Sequence, residues 1–370
     1  MKGANRMTRR GFMKQASAAA AGAPFLMAAA RAQAGGGGNP YNIAVLSTAH
    51  THTRGFMGNL ASNDDRQAIY VWDDVVDRGE RYAEEFDVPF EPDLDTVIND
   101  PEVDGFIICS ENTRHLPLLE AAIPAGKPVF CEKPLVTTTE ELSVVEDLLE
   151  AYETPLLCAY FQPFSGTMQA IQSKVRDEMF DEVTRVNARN AHHAAYGRWF
   201  DDPDVAWFTD PELAGGGAYM DMGTHAIHLV ATLFGEVDEV WADIRNESGV
   251  YPDVDDYGVA MLRFKSGILG RVEAAWTQTG GIGGLEIVGS GGAVWNTPDG
   301  YRVGGPDIER GEVEAAEPQP DRVDRLIAIL DGEMSEAALQ TDLEATKEAV
   351  RVMEAAYKSA ETGDWVEVAR

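Results

Sequence analysis

Basic residues are scarce in this chain, which has 30 Lys and Arg against 62 Asp and Glu. Six of the basic residues, and none of the acidic ones, lie within the first 34 positions. The rest of the chain therefore carries 24 basic and 62 acidic residues, a net charge of −38. Such a charge repels nucleic acid and anionic membranes, so we expect neither as a partner. The acidic residues are spread out, which is typical of a halophile's solvated surface.

Cysteine is also rare, with three residues at positions 109, 131 and 158. Each lies in an apolar run that reads as a strand: "FIICS", "PVFCEK" and "PLLCAY". An odd number without paired spacing argues against a disulfide framework. We therefore expect the three thiols to be small buried hydrophobic groups.

One apolar, Ala-rich run lies near the N-terminus, from Ala16 to Ala30, after the twin arginines Arg9 and Arg10. It is too short to span a membrane convincingly, and a small-x-small pattern ends at Ala34. Residues 1–34 are therefore predicted to be a twin-arginine export signal, with a retained anchor as the alternative. We expect a periplasmic or extracellular protein with a Gly-rich linker at 35–40 and no membrane span in the mature chain.

Strands and helices alternate between residues 41 and 160. The strands, such as "YNIAVLS" and "VDGFIICS", are continuously apolar, and the segments between them have helical periodicity. This pattern predicts an α/β domain with a Rossmann-type doubly wound parallel sheet, covered on both faces. Ligands of such a domain bind beyond the carboxyl ends of its strands.

Residues 161–370 show longer alternations of polar and apolar residues, with turns at Ser266-Gly267 and after Ser290. They predict an α+β domain with a mostly antiparallel open sheet, one helix near 218–234 and a last helix at about 342–361. We expect this domain to hold the substrate and to mediate oligomerisation.

The motif "CEKP" ends a predicted parallel strand, where this architecture places its ligands. Lys133 precedes Pro134, whose ring restricts the backbone of the residue before it. The lysine is therefore a candidate catalytic group, although a surface charge would also occupy a strand end.

A second motif, "GGGAYMDMGTHAIHL", places Asp221 and His225 four residues apart on one helical face. A carboxylate beside an imidazole can set its tautomer and make it a general base. A capping Asp and a core His are the alternative. The glycines at 215–217 would let the backbone pass close to a ligand.

Together with "EKPL", "LRFKSGILG" and "AAYKSAETGDWVEV", these motifs resemble the Gfo/Idh/MocA oxidoreductases over nearly all of residues 40–370. The resemblance implies a Rossmann domain, an open-sheet second domain and oxidation or reduction of sugar or polyol hydroxyl carbons with NAD or NADP. It implies that Lys133, Asp221 and His225 are catalytic. His225 would take the hydroxyl proton, Lys133 would bind the same oxygen, and Asp221 would orient the pair.

The loop after the first strand departs from the family's G-x-G-x-x-G pattern, because Ser47, Ala49 and His52 replace its glycines. Asp73 ends the second strand at the spacing of an acid that binds the adenosine ribose, which favours NAD over NADP. The cofactor-binding residues implied by the resemblance are those of the first loop, the second strand end, "CSENTRH" and "EKP": Ser47, Thr48, Ala49, His50, His52, Asp73, Ser110, Asn112, His115, Glu132 and Lys133.

Histidine residues leave one alternative open. His50 and His52 form an H-x-H pair, and His228 stands where relatives commonly carry Asp. With His225, these imidazoles could ligate a divalent cation.

The sequence therefore predicts an exported NAD-dependent oxidoreductase. A variant of this prediction is a glycosidase or epimerase that oxidises its substrate transiently. The alternatives are a metal-assisted lyase or hydrolase that acts on keto-sugars, and a sugar-binding or assembly protein whose fold has lost its enzyme activity. We expect a homo-oligomer.

Overall fold

The protein is described here by a computed structural model that covers residues 39–370. The predicted export signal and most of the linker lie outside these described residues.

A five-stranded parallel sheet forms the centre of the N-terminal lobe, in the order β2-β1-β3-β4-β5. β1, β3, β4 and β5 are largely buried and apolar, as the sequence predicts for a sheet covered on both faces, whereas the edge strand β2 is partly exposed. The elements of this lobe are β1 Tyr41–Leu46, α1 Thr53–Ser62, β2 Arg66–Trp72, α2 Val76–Phe86, α3 Leu94–Asn99, β3 Gly105–Ile108, α4 His115–Ala122, β4 Val129–Cys131, α5 Thr139–Tyr152 and β5 Leu156–Cys158.

Local sequence explains how these helices begin and end. The Thr138 side chain accepts a hydrogen bond from the Glu141 backbone N–H, and Glu141 completes a capping box at the start of α5. Gly126, at φ +69°, ends the short turn after α4 in the left-handed conformation that glycine adopts without strain.

A nine-stranded sheet dominates the C-terminal lobe, in the order β13-β12-β11-β10-β6-β9-β8-β7-β14. Every pairing is antiparallel except β6 with β9, so the predicted fold class is confirmed. The elements are α6 Gly166–Arg176, β6 Val183–Ala191, α7 Ala194–Gly197, α8 Pro211–Ala214, α9 Thr224–Phe234, β7 Val237–Arg245, β8 Tyr257–Phe264, β9 Leu269–Ala275, β10 Gly284–Gly289, β11 Ala293–Thr297, β12 Gly300–Gly304, β13 Gly311–Glu312, α10 Arg322–Leu330, α11 Glu336–Thr362 and β14 Val366–Glu367.

Two helical predictions differ from the structure in detail. The helix expected near 218–234 begins as a π-helical turn, Tyr219–Gly223, before α9. The last helix begins at Glu336, six residues before the predicted start, because Ser335 caps it through a bond from the Ala338 backbone N–H.

Helix α10 returns to the N-terminal lobe late in the chain. Val323 and Leu326 pack with Ile43 and Val45 of β1 in one buried apolar cluster. The N-terminal core is therefore completed by residues far beyond position 160.

All three cysteines are buried and free, as expected. Among residues 39–370, no helix is both long and apolar enough to cross a membrane.

Candidate active site

Lys133 and Asp221 meet where the two lobes face each other. Lys133 follows β4 and is 2% exposed. Its Nζ donates to Asp221 Oδ1 at 2.5 Å and lies 3.4 Å from the Asp221 carbonyl oxygen. Asp221 comes from the π-helical turn, and its Oδ2 accepts from Trp276 Nε1 at 2.9 Å. Burial would raise the pKa of Asp221, but Lys133 and Trp276 outweigh it and hold the carboxyl ionised.

His225 lies one turn after Asp221, packed edge-on against Tyr160 and Phe161. Its Nδ1 is buried and has no hydrogen-bond partner. Burial, followed by the charge of Lys133, lowers the pKa of His225 well below its usual value. A neutral imidazole with an unengaged nitrogen can accept a proton, which is what a general base requires. The structure thus brings together all three predicted catalytic residues.

The glycines at 215–217 serve packing between elements of the protein. A side chain at Gly217 would lie 1.9 Å from the Asp255 carbonyl oxygen, and one at Gly216 would meet the Tyr357 hydroxyl. Gly215, at φ +71°, ends α8. These glycines are therefore required for packing within the protein, and their approach to a ligand stays a prediction.

His228 is not placed to ligate a metal ion together with the other histidines. Its ring is fully buried, stacks on Tyr160 at 3.9 Å and lies 3.4 Å from Asp342. Its place three residues after His225 does not give it access to a shared site, because α9 is buried nearly all round. His228 belongs to a core polar group with Asp342 and Arg325.

The glycine-free loop after β1 still makes its turn. Ser47 adopts φ +67°, the left-handed conformation for which the family pattern uses glycine. Thr48 donates to Asp73 through both its backbone N–H and its hydroxyl, each at 2.7 Å. The Thr48 hydroxyl therefore faces the end of β2, whereas the Ser47 hydroxyl accepts from Arg78 at 3.3 Å.

Arg78 of α2 links this loop to two acidic residues. Its guanidinium donates to both oxygens of Asp73, at 2.9 and 2.8 Å, and to Glu111 at 2.9 Å. Burial alone would raise the pKa of Asp73, but Arg78 and Thr48 outweigh it and lower the pKa. Asp73 stands where a ribose-binding acid is expected, already paired with a cation.

Trp207 of the C-terminal lobe covers the same loop. Its indole N–H donates to the Ala49 carbonyl oxygen at 3.0 Å, and Phe208 packs edge-on against His50. Ala49 is 2% exposed as a result. The loop at which a dinucleotide's diphosphate would lie is thus closed by aromatic side chains.

Three buried polar atoms in the loop after β3 have no hydrogen-bond partner: Ser110 Oγ, Glu111 Oε2 and Asn112 Oδ1. Buried polar atoms are normally hydrogen-bonded, so these indicate a ligand or water at this edge of the sheet. His115, predicted among the cofactor residues, does not join them. Its two ring nitrogens contact the carbonyl oxygens of Pro134 and Ser110, so it braces two loops.

Glu132, another predicted cofactor residue, lies between the two loop histidines. Its Oε1 is 2.8 Å from His52 Nδ1, and its Oε2 is 3.8 Å from His50 Nε2. The carboxylate is fully buried. Burial would raise its pKa, but His50, His52 and Lys133 together lower it.

The residues that line the crevice between the two lobes fit a dinucleotide at two places, near the loop after β1 and near Lys133. A cavity of about 660 Å³ lies beside Arg78, Glu111 and Trp207, within the size range of small-molecule sites. At the other end, His225 has an unpartnered nitrogen and is close enough to Lys133 and Asp221 for both charges to act on it. Between them, the Trp207–Ala49 contact would have to open to admit a diphosphate.

Sequence reasoning missed Arg78, Trp207 and Trp276. Arg78 lies five residues after Asp73, and an Arg that near a ribose acid is a signal that could have been noticed. Trp207 and Trp276 carry no such signal, because their partners lie 158 and 55 residues away in the chain.

Comparison with known proteins agrees with this geometry. Residues 43–160 match the family model described as the oxidoreductase family with an NAD-binding Rossmann fold, and residues 168–295 match the model of the Gfo/Idh/MocA C-terminal domain. The chain belongs to the Gfo/Idh/MocA family. The predicted family and its nucleotide-binding fold are confirmed.

Two curated Gfo/Idh/MocA relatives show the degree of similarity. Myo-inositol 2-dehydrogenase of Thermotoga maritima is 28% identical over 207 residues, which is 54% of this chain and 58% of that protein. Levoglucosan dehydrogenase of Pseudarthrobacter phenanthrenivorans is 26% identical over 206 residues, 49% of this chain and 52% of that protein. The matches thus span little more than half the length of these relatives.

The fold of this Gfo/Idh/MocA protein is also that of solved structures. Aldose–aldose oxidoreductase from Caulobacter crescentus, complexed with glycerol, superposes with a TM-score of 0.73 at 23% identity. The superposition covers 89% of this chain and 100% of that one, so both lobes are shared.

Proposed function

We propose that this protein is an NAD-dependent oxidoreductase that acts on a hydroxyl-bearing carbon of a sugar or polyol. The observation that carries the proposal is the Lys133–Asp221 pair beside His225, whose Nδ1 is buried and free. The family match and the dehydrogenase names of its relatives agree with this chemistry.

The roles of the residues follow from their geometry. When bound, the nicotinamide supplies a hydride acceptor. His225 holds a neutral nitrogen for the hydroxyl proton, because burial and Lys133 disfavour its protonated form. Lys133 donates toward the same region, and Asp221 keeps its ammonium in place. Trp276 fixes the second oxygen of Asp221, so the pair is oriented before any substrate arrives.

Asp73 favours NAD over NADP in this proposal. A 2′-phosphate would lie against a buried carboxylate, and Arg78 is already bound to both Asp73 and Glu111. Two acidic partners leave little net positive charge to attract a phosphate.

Cofactor content tests the proposal most directly. Mass spectrometry of the denatured, purified protein should detect NAD, or titration should show that NAD binds more tightly than NADP. A panel of sugars, polyols and glycosides should then give reduced nicotinamide with at least one compound. If NAD neither copurifies nor binds at millimolar concentration, the proposal fails.

We also propose that the protein is exported through the twin-arginine route. The support is sequence alone: Arg9 and Arg10, the apolar run that follows, and the small residues before position 34. Replacing both arginines by lysine should retain the protein in the cytoplasm, and fractionation with an antibody to the chain would measure it.

We propose that the protein is a homo-oligomer that uses the open face of its nine-stranded sheet. In β8, buried residues alternate with partly or fully exposed ones, as expected for a sheet covered on one face. Light scattering on the eluting protein should give a multiple of the chain mass, and a monomer would contradict the proposal.

A further inference from the structure

His50 is a buried imidazole that has an unused nitrogen. The residue is 2% exposed, and its Nε2 has no hydrogen-bond partner. The nearest acceptor, Glu132 Oε2, lies 3.8 Å away, beyond hydrogen-bond range. A buried polar atom of this kind costs free energy unless something binds it. The nitrogen points toward a carboxylate that a second histidine also contacts.

His50, His52 and Glu132 can each direct one ligand atom to a common point. The three atoms lie within 4.8 Å of one another. Burial keeps the Glu132 carboxylate away from water, and its neighbours favour the ionised form. Two imidazoles and one carboxylate are a common ligand set for zinc and for other divalent transition metals.

The cluster is also accessible from one side. The His52 side chain is 33% exposed, whereas His50 and Glu132 are buried. An ion held here would have three protein ligands and an open position on the side of His52. This differs from a closed structural site, in which four protein ligands surround the metal.

We propose that His50, His52 and Glu132 bind one divalent transition-metal ion per chain. The inference does not require the proposed redox function, because its ligands are side chains of this chain alone. His225 and His228, considered as ligands from the sequence, are not part of the site. His228 is stacked on Tyr160, and His225 belongs to the Lys133–Asp221 group.

Two existing hydrogen bonds oppose metal binding. His52 Nδ1 and Glu132 Oε1 are 2.8 Å apart, and their hydrogen bond is lost if both atoms bind the metal. His50 Nδ1 accepts a hydrogen bond from the His52 backbone N–H at 3.2 Å. Coordination through Nε2 would place the ring proton on Nδ1 and abolish that bond. Coordination replaces these hydrogen bonds by bonds from a carboxylate oxygen and two imidazole nitrogens to a divalent cation, which are stronger.

Cobalt titration of the full, untagged chain tests the proposal, since a histidine tag would itself bind metal. The protein is first treated with chelator, and Co²⁺ is then followed by its visible absorption spectrum. We expect saturation at one ion per chain, displacement by Zn²⁺, and binding at least about 10-fold weaker in His52→Gln and Glu132→Gln. His193→Gln, which alters an exposed histidine outside the cluster, should bind as the unmodified chain does.

Two results would overturn the proposal: no spectral change at millimolar Co²⁺, or equal binding by His52→Gln and the unmodified chain. Because His52 is partly exposed, its variant stays informative even if Glu132→Gln fails to fold. NAD binding is measured separately on the metal-free protein. Metal binding without NAD binding would refute only the proposed function, and the reverse result would refute only this inference.

Discussion

The two ends of the crevice differ in how ready they are for a ligand. At the Lys133 end, the family motif is intact, and His225 presents a free nitrogen. At the β1 loop end, the glycines are replaced, Asp73 is paired with Arg78, and Trp207 covers Ala49. The first end is preorganised for chemistry, whereas the second must change before a diphosphate can enter. Cofactor affinity is therefore expected to depend on the loop end and turnover on the lysine end.

The largest expected effect comes from Lys133→Met. Turnover should fall by at least about 10²-fold, because the variant loses the group that is proposed to bind the reacting oxygen and that helps burial to lower the pKa of His225. Steady-state rates on the best substrate of the panel would measure it, with circular dichroism to show that the fold persists. The matched control is Lys127→Met, whose amine bonds to backbone carbonyl oxygens of Ile98 and Asp100 away from the crevice. Unchanged turnover in the Lys133 variant would remove this residue from the mechanism.

Arg78→Met should be the most destabilising change at the loop end. It leaves the buried carboxylate of Asp73 without its cation and Glu111 with only Arg114, 3.8 Å away, which should cost about 3–5 kcal/mol in the free energy of unfolding. Arg81→Met on the same helix removes an exposed pair with Asp204 and an exposed bond to the Asp77 carbonyl oxygen, and it should cost less than about 1 kcal/mol. Urea denaturation of the two variants gives the comparison. Equal losses would mean that Arg78 is not a structural clamp.

Acid should lower the free energy of unfolding of the protein by protonating Glu132. The folded state holds the pKa of Glu132 below the value of 4.5 expected for an unfolded chain. The stability it contributes is therefore present above about pH 5 and declines as the pH falls below the unfolded pKa. The free energy of unfolding should therefore fall as the pH is lowered from about 5 to about 3.

Denaturation of the metal-free protein at several pH values would measure this dependence. Glu132→Gln should flatten it, and the exposed Glu85→Gln should not. Parallel curves for all three proteins would show that Glu132 is not linked to acid stability.

The smallest effect is expected from Trp207→Phe. Phenylalanine keeps an aromatic ring at this position, but the indole N–H that donates to the Ala49 carbonyl oxygen is lost. The lost hydrogen bond is worth about 1 kcal/mol. If the contact closes the loop, NAD should bind about fivefold more tightly by fluorescence titration. Trp199→Phe, at an exposed indole, serves as the control. Weaker NAD binding in the Trp207 variant would instead mean that the indole contacts the cofactor.

Short-range features and the contacts between family motifs were predictable from the sequence, whereas other long-range contacts were not. The capping box of Thr138 and Glu141 spans three residues, so it can be read directly. Lys133 and Asp221 were placed together by motifs, although 88 residues separate them. The cover of Trp207 over Ala49 and the burial of His228 depend on how the lobes pack, which no local pattern specifies. The role of the glycines at 215–217 could not be read from the sequence, because a close approach to another part of the protein and a close approach to a ligand both require glycine.

Helix α10 has a consequence for how the protein can be divided. It fills the apolar face of β1, Asp324 pairs with Arg66, and Tyr41 donates to the Leu330 carbonyl oxygen. A fragment that stops at residue 160 would leave that face bare to solvent and prone to self-association. The nucleotide-binding lobe is thus not an independently folding domain. The helix that completes its core is synthesised only after most of the neighbouring lobe.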